Sequence, residues 1–369
     1  MKKFFCAVLI GKALHSSPVT QAMDTGFFTR KLLSQAAIYD DLTRAEYELF
    51  DKYSGLKVGE TIHMYDVPID LHGKQERIHT TRSGDDQKED LVLIHGYFVG
   101  KLSFFKMVKD LSQHYRLWTI DMVGMGLSSR PEFNSQSTEE TIDYFVESIE
   151  QWRRSVGIEK FHLAGLSLGG YMSGMYALKY PDKINKLLLI SPAGVSKPVP
   201  EDETNKEIMQ LPWLRRKLIE YITSLWRKGY TPHDAFNSIG IFRKPFINSY
   251  VKRMTLQGDQ FDPGFRYINN ILLLPESTLK CLHHVLTLPR ASGHVPFEDH
   301  MHKLQMPCEI YYGEKDWISS EGAYRVAAKG GLKGGIHIIP QAGHIMNFEN
   351  PKYLSDLMIK HLKGSKSQK

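Results

Sequence analysis

Ser167 is the residue in this sequence best placed to act as a nucleophile. It lies in FHLAGLSLGGYMSGMYALKY, between Gly165 and Gly169, after an apolar run and before a helical stretch. A Gly-X-Ser-X-Gly turn from strand to helix exposes the serine hydroxyl at a helix N-terminus, and its glycines make room for the sharp turn. The alternative is an ordinary turn whose serine only caps the helix. The matching strand and helix on either side favour the nucleophile.

A hydroxyl is a weak nucleophile unless a base takes its proton and an acid orients that base. The stretch EIYYGEKDW offers Asp316 as the acid, with Glu314 as a competitor nearer the strand end. The stretch IHIIPQAGHIMNFENP offers His344 as the base, after a glycine that lets the loop turn. His337 lies inside the preceding strand and is predicted to pack there. The predicted triad therefore follows the chain order serine, acid, histidine.

Acyl transfer also needs N–H donors for the oxyanion that develops on the substrate. The amide of Leu168 follows the nucleophile, and a second donor is expected after LVLIH, from Tyr97 or alternatively Phe98. His95, Gly96 and Phe98 are predicted to contact the substrate. The alternative is that the aromatic residues of this loop only pack against it.

Short apolar runs alternate with helical stretches through most of the chain, as in a doubly wound α/β fold whose parallel strands are buried on both faces. At the start of the helical stretch TEETIDYFVESIEQWRRSVG, Ser137 just before it and Glu140 within it predict a capping box. Upstream, 36–51 is predicted to be helical, and ETIHMYDV (60–67) and QERIHTTR (75–82) to pair antiparallel. The six runs are LVLIH (91–95), LWTID (117–121), FHLAG (161–165), LLLIS (187–191), EIYYG (309–313) and IHIIP (336–340).

The alternation breaks between about residues 198 and 306, where we predict a helical cap over the carboxyl ends of the strands. Its cations could hold a phosphate, and its aromatic residues could hold acyl chains. The alternative is a plain amphipathic cap over a pocket that binds a soluble ester. Five histidines of the cap could bind a metal, but their spacing favours a solvated or lid-lining cluster: His283, His284, His294, His300 and His302. The predicted organisation is a targeting or membrane-contacting extension (1–50), an α/β core (51–197), the cap (198–306) and the rest of the core (307–369).

Composition limits the function classes. The 369 residues are 42% hydrophobic and 24% charged with a net charge of +6, which is ordinary for a globular protein and too mildly basic to favour nucleic-acid binding. Cys6, Cys281 and Cys308 match neither a disulfide framework nor a zinc site. The N-terminal segment is basic and has no acidic residue before Asp24. A mitochondrial transit peptide and a membrane-contacting lead-in both fit it better than a secretory signal.

The assembled motifs resemble the α/β-hydrolase superfamily over about residues 60–362. The motifs are HGYFVG (95–100), DMVGMGLSSRP (121–131), GLSLGG (165–170), YGEKDW (312–317) and AGHIMNFENP (342–351). The stretch from SSRPEF to SPAGV is similar to the abhydrolase-domain branch of lysophospholipases, N-acyl-phosphatidylethanolamine lipases, cardiolipin-specific phospholipases and a lipid-droplet coactivator. That coactivator lacks the serine present here as Ser167. The branch often has His-X4-Asp, where this chain has His344 and Glu349.

The resemblance implies a serine hydrolase of phospholipid or lysophospholipid acyl esters, without a cofactor or metal. It also implies association with a membrane or a lipid droplet, so we expect an intracellular, peripheral membrane protein. The N-terminal segment adds a mitochondrial location as one possibility, with the cytoplasm or a lipid-droplet surface as the other. Two alternatives remain: an acyl-CoA-dependent lysophospholipid acyltransferase, and a non-catalytic lipid-binding protein or coactivator on the same fold. Protein partners are not indicated.

Overall fold

The computed structural model describes residues 35–363, apart from 201–202, 204–207, 211, 239 and 289. The chain divides into two compact units, Leu49–Val199 with Glu276–Lys369, and Met1–Glu48 with Pro200–Pro275. Most of the predicted N-terminal extension lies outside the described residues.

The strands form one large sheet and one small one. The strands of the large sheet are β1 (Ile62–Leu71), β2 (Lys74–Ser83), β3 (Asp90–Ile94), β4 (Arg116–Ile120), β5 (Phe161–Leu166), β6 (Ile184–Ile190), β9 (Cys308–Gly313) and β10 (Ile336–Ile339). They are ordered β1-β2-β4-β3-β5-β6-β9-β10. The pairs β1/β2 and β2/β4 are antiparallel and the others are parallel. A separate two-stranded sheet joins β7 (Leu286–Thr287) to β8 (Ser292–Gly293).

The strand predictions are confirmed, because each of the six apolar runs coincides with a parallel-paired strand to within a few residues. All residues of β3 and β5 are buried, as expected for strands covered on both faces. The predicted antiparallel pair is β1/β2, closed by a two-residue turn at His72 and Gly73. Both turn residues have positive φ, 54° and 76°, which matches the right-handed twist of a hairpin.

The helices of the sheet-containing unit cover the sheet and carry its connections. They are α2 (Val108–Ser112), α3 (Thr138–Ser155), α4 (Leu168–Lys179), α9 (Leu282–Val285), α10 (Glu321–Ala328), α11 (Met346–Glu349) and α12 (Pro351–Lys363). Helix α3 begins as predicted, with the Ser137 hydroxyl accepting the Glu140 amide at 3.1 Å. The Glu140 carboxylate accepts the amide of Gln136 at 2.8 Å, one residue earlier than in a standard capping box.

The second unit is helical. It contains α5 (Trp213–Arg227), α6 (Pro232–Ser238), α7 (Lys244–Arg253) and α8 (Phe261–Leu273), while α1 (Gln35–Tyr53) begins in it and ends in the sheet-containing unit. Arg266 of α8 binds Asp41 at 2.9 Å and Glu48 at 2.7 Å, both on α1. These ion pairs explain why residues 35–48 group with 200–275 and do not form a separate extension. No helix of the described ranges is both long and apolar enough to span a bilayer.

The predicted end of the cap at residue 306 differs from the structure, in which residues 276–306 belong to the sheet-containing unit. The reason lies in their hydrogen bonds. The amide of Gly194 donates to the Ala291 carbonyl, and the Phe297 amide donates to the Gly194 carbonyl, both at 2.9 Å. The Tyr171 hydroxyl of α4 donates to the Val295 carbonyl at 2.8 Å. This segment therefore packs as part of the α/β core.

Candidate active site

Ser167 occupies the turn between β5 and α4, and its backbone has the strained geometry that such a turn requires. Its φ is 54° and its ψ is −117°, outside the regions that a non-glycine residue ordinarily adopts. The turn is crowded from both sides. A Cβ at Gly165 would overlap the Gly169 carbonyl, and a Cβ at Gly169 would overlap the His95 carbonyl. Both glycines of the motif are therefore required by contact with neighbouring backbone.

The structure brings together the three residues of the predicted triad. The Nε2 atom of His344 lies 3.1 Å from the Ser167 hydroxyl, and its Nδ1 atom lies 3.2 Å from Asp316 Oδ1. Ser167 follows β5, Asp316 follows β9 and His344 follows β10, so parallel strands deliver all three to the same edge of the sheet. This is the arrangement in which an imidazole can accept the serine proton while a carboxylate orients its ring.

Asp316 is nearly buried, with 4% of its side chain exposed. Burial by itself raises the pKa of a carboxyl group, but hydrogen bonds from His344, Ser191 and the Ile318 amide outweigh it and lower the pKa of Asp316. Asp316 therefore stays ionised, as an orienting acid must. Its competitor Glu314 is exposed, and its carboxylate accepts the Gln341 amide at 2.9 Å.

Ser191 is a site residue that the sequence analysis missed. Its hydroxyl donates to Asp316 Oδ2 at 2.5 Å, and its oxygen lies 2.7 Å from His344 Nδ1, closer than Asp316 Oδ1 at 3.2 Å. The residue directly follows β6, between β5 and β9 in the sheet, and its φ is 43°. A left-handed conformation at a non-glycine residue costs about 1–2 kcal/mol, which the surrounding structure must offset. In the sequence, LLLIS contains no signal beyond a serine at a strand end.

The loops that carry Asp316 and His344 touch each other at two glycines. A Cβ at Gly313, the last residue of β9, would overlap the carbonyl of Gly343. The amide of Gly343 donates to Glu349 Oε2 at 2.6 Å, which closes the loop around His344. In this structure the acidic residue of the His-X4-acid pattern therefore positions the histidine loop. Such a role serves hydrolysis and acyl transfer equally.

The loop after β3 lies beside the nucleophile, as predicted for an oxyanion site. A Cβ at Gly96 would come within 3.1 Å of the Ser167 Cβ, so the backbone passes close to the serine. Phe98 has a φ of 81°, and both it and Tyr97 are half-buried. Leu168 is the first residue of α4, so its amide has no carbonyl partner within the helix. The roles of the Leu168 and Tyr97 amides stay predictions, as do substrate contacts by Gly96 and Phe98.

His95, predicted to contact the substrate, has a different position. Its side chain is fully buried. Its Nε2 atom accepts the Met122 amide at 2.9 Å, and its Nδ1 atom lies 2.6 Å from the Gly96 carbonyl oxygen. Both ring nitrogens thus face backbone groups at the ends of adjacent strands. The prediction of a substrate contact is therefore replaced by a role in bracing the loop.

The other histidines also have defined positions. Within the described part of the chain, the five histidines assigned to the cap do not form a group of three possible metal ligands. His337 is half-buried on β10, and its Nε2 atom lies 2.8 Å from Glu309 Oε2, in a contact that the sequence analysis did not anticipate. Trp317, also not anticipated, flanks the imidazole of His344 with ring centroids 5.1 Å apart.

Comparison with known proteins agrees with this fold. The family model described as the alpha/beta hydrolase fold matches residues 91–233, which include the serine turn. The chain has the α/β hydrolase fold.

Its relatives are lipid-related abhydrolase-domain proteins. The chain is 29% identical over 283 residues to a protein of Oryza sativa named probable 1-acylglycerol-3-phosphate O-acyltransferase, and the match covers 73% of this chain and 66% of that protein. It is 30% identical over 275 residues to the Arabidopsis thaliana 1-acylglycerol-3-phosphate O-acyltransferase, covering 71% of this chain and 63% of that protein. The chain thus spans less than two thirds of the length of both. Monoacylglycerol lipase abhd6-B of Xenopus laevis is 27% identical over 82% of this chain and 83% of its own length.

Solved structures share the architecture. A bacterial membrane phospholipase A aligns over 95% of this chain and 97% of its own, with a TM-score of 0.60 and 19% identity. The Bacillus subtilis carboxylesterase CesB aligns over 88% and 99% respectively, with the same TM-score and identity. At this identity the likeness shows the fold alone.

Proposed function

We propose that the protein is a serine hydrolase that cleaves acyl esters of phospholipids or lysophospholipids through an acyl-enzyme. The observation that carries the proposal is the continuous line of contacts from Ser167 through His344 to Asp316. Esterases and lipases among the similar proteins support hydrolysis, and lipid-acting relatives support the substrate class.

The proposed reaction has two halves. Ser167 Oγ attacks the ester carbonyl carbon while His344 Nε2 takes the hydroxyl proton, and the resulting oxyanion accepts hydrogen bonds from the Leu168 and Tyr97 amides. His344 then gives the proton to the departing alcohol oxygen, which leaves the acyl group on Ser167. Water attacks this ester with His344 again as the base, and the fatty acid is released. Asp316 holds the Nδ1–H tautomer throughout.

The experiment compares Ser167→Ala with wild type on a panel of phospholipids and lysophospholipids, together with labelling by a fluorophosphonate probe. Wild type should label and release fatty acid, and Ser167→Ala should do neither. Ser155→Ala is the matched control, because Ser155 is an exposed serine at the end of α3 whose hydroxyl donates to the Pro68 carbonyl. Absent labelling of folded wild type would refute the proposal and favour the non-catalytic binding protein.

A second candidate function is acyl transfer to a lysophospholipid, favoured by the names of the two plant relatives. The same acyl-enzyme would then be attacked by a lysophospholipid hydroxyl in place of water. Incubation with labelled acyl-CoA and lysophosphatidic acid separates the two outcomes. Transfer predicts a diacyl product that depends on Ser167, whereas hydrolysis predicts free fatty acid alone.

We also propose that the helical unit contacts a membrane surface. Trp213 and Met209 are 69% and 65% exposed, which is unusual for large apolar side chains. Arg216 and Lys217 lie three and four residues after Trp213, and so on its face of α5. Apolar groups beside cations suit an anionic lipid surface.

In the experiment, Trp213→Ala should reduce the fraction of protein that sediments with anionic vesicles more than Tyr230→Ala does. Equal effects of the two substitutions would contradict the proposed membrane contact at Trp213. The organelle remains part of the proposal, with mitochondrial and lipid-droplet membranes as candidates.

A further inference from the structure

A cluster of two histidines and a glutamate lies at the edge of the large sheet, away from the serine site. Strands β9 and β10 are parallel, with His337 opposite Tyr311. Glu309 is two residues before Tyr311, so all three side chains point to one face of the sheet. Helix α12 adds His361 on that face, with Nδ1 2.9 Å from the Tyr311 hydroxyl. Glu309 lies near the start of β9, whereas Asp316 follows its carboxyl end.

The side chains of the cluster meet at short range. One possible ligand atom from each of Glu309, His337 and His361 lies within 4.8 Å of the others. The imidazole rings of the two histidines have centroids 4.2 Å apart and an interplanar angle of 34°. Glu309 is 14% exposed and His337 is 26% exposed, so the cluster is largely enclosed but still open to a small solute.

Neighbouring groups hold these side chains in place. Glu309 Oε2 accepts the Gly335 amide at 2.8 Å, in addition to its contact with His337. The Tyr311 hydroxyl lies 2.9 Å from His361 Nδ1, and its oxygen can accept Nδ1–H of His361. That tautomer leaves the other nitrogen of His361 as a lone-pair donor, and metal-binding histidines are commonly fixed in this way.

The alternative to a metal site is a simple hydrogen bond between a histidine and a glutamate, which would need only Glu309 and His337. It gives no reason for His361, whose ring lies against another imidazole. The ring nitrogen of His361 that does not face Tyr311 can ligate a cation. Two imidazoles and one carboxylate, drawn from two strands and a helix, form a ligand set that suits Zn²⁺, with water as the fourth ligand.

We propose that Glu309, His337 and His361 form a binding site for a divalent transition-metal cation, with Zn²⁺ as the best match. A cation would need the lone pair of His337 Nε2, so any hydrogen bond that this nitrogen donates to Glu309 would be replaced by two bonds to the metal. His337 Nε2 and Glu309 Oε2 now lie 2.8 Å apart, closer than two ligand atoms of one zinc ion. Small shifts of the three side chains would move these atoms far enough apart to bind the cation. The cation would tie the last strand and the last helix of the sheet-containing unit together, and so would stabilise the fold without taking part in catalysis.

The test uses the full chain after treatment with a chelator. Titration with ZnCl₂, followed by calorimetry, should show one site per chain, and Zn²⁺ should raise the unfolding temperature. Addition of Co²⁺ should produce the visible absorption bands of a four-coordinate site. Glu309→Gln and His361→Gln should each weaken Zn²⁺ binding by at least about tenfold and abolish the thermal shift, because each removes a ligand.

His302→Gln is the matched control, since His302 is an exposed histidine of the same unit. It should bind Zn²⁺ like wild type. Unfolding temperatures without metal identify any variant that fails to fold, and fluorophosphonate labelling of Ser167 should be the same in all of them. Zn²⁺ binding that is absent in wild type, or that is equal in wild type, Glu309→Gln and His361→Gln, would overturn the proposal.

Discussion

Removing the hydroxyl of Ser191 tests whether the site works through a bridge between its acid and its base. In the substitution Ser191→Ala, Asp316 loses its 2.5 Å hydrogen bond and His344 Nδ1 loses its nearest oxygen, at 2.7 Å. Asp316 Oδ1 remains 3.2 Å from Nδ1, so the triad is weakened but not broken. The ring of His344 is then free to turn away from Ser167.

The size of the effect follows from the charges involved. A hydrogen bond to a charged group contributes about 1.5–3 kcal/mol, and Ser191 contacts a carboxylate and a ring that becomes an imidazolium during the reaction. Each 1.36 kcal/mol of lost transition-state stabilisation is about tenfold in rate, so kcat should fall by about tenfold to about 150-fold. KM should change little, because Ser191 contacts the triad and is not expected to contact the bound ester.

A second substitution separates the hydroxyl from the backbone. Ser191→Gly also removes the hydroxyl, but it relieves the positive φ of 43°. The two variants should therefore share the loss of kcat while Ser191→Gly unfolds at the higher temperature.

The assay is steady-state hydrolysis of a soluble ester, with Ser155→Ala as the control. In a double-mutant cycle with Asp316→Asn, the losses should be non-additive, because both residues act on the same ring. A kcat within about twofold of wild type in Ser191→Ala, or losses that add in the double variant, would refute the bridging role.

Three further predictions concern the scaffold. Gly313→Ala should force apart the loops of Asp316 and His344, because its Cβ would overlap the Gly343 carbonyl; ester hydrolysis should fall more than tenfold in soluble protein, and full activity would contradict the contact. Gly165→Ala should lower soluble yield and unfolding temperature, since backbone fills the space of its Cβ. Burial raises the pKa of Glu150, but hydrogen bonds from arginines and a tyrosine outweigh this and hold it at about 2. A lowered carboxyl pKa stabilises the fold fully above the ordinary value of 4.5, and this stabilisation is lost as the pH falls from there towards the folded value of about 2. Glu150→Gln should therefore cost about 3 kcal/mol at neutral pH and progressively less as the pH falls towards 2. Unfolding at several pH values tests this, and a pH-independent difference would count against it.

The parallel strands and the meeting of Ser167, Asp316 and His344 were predictable because each leaves a local mark in the sequence. Apolar runs buried on both faces are continuous, and Ser167 is marked by glycines that backbone contact requires. The only local mark of Asp316 and His344 is that each follows the end of a strand. The order serine, acid, histidine along the chain is enough to select them.

Other features depend on which strands become neighbours in the sheet. The local pattern of residue types does not encode that order. Ser191 joins the site only because β6 lies between β5 and β9. His95 looked like a pocket residue because it ends a strand, yet the adjacent strand β4 and its following loop enclose it. The end of the cap was misplaced because residues 276–306 are held by backbone hydrogen bonds to the core, and those bonds do not depend on side-chain type.

The strands β5, β6, β9 and β10 stand side by side although the helical residues 200–275 interrupt the chain between β6 and β9. The hydrogen bonds among Ser167, Ser191, Asp316 and His344 involve none of those residues. Evolution could therefore lengthen, shorten or exchange that stretch while these four residues kept their contacts with one another. A chimaera carrying the corresponding segment of a relative should still bring the four side chains together.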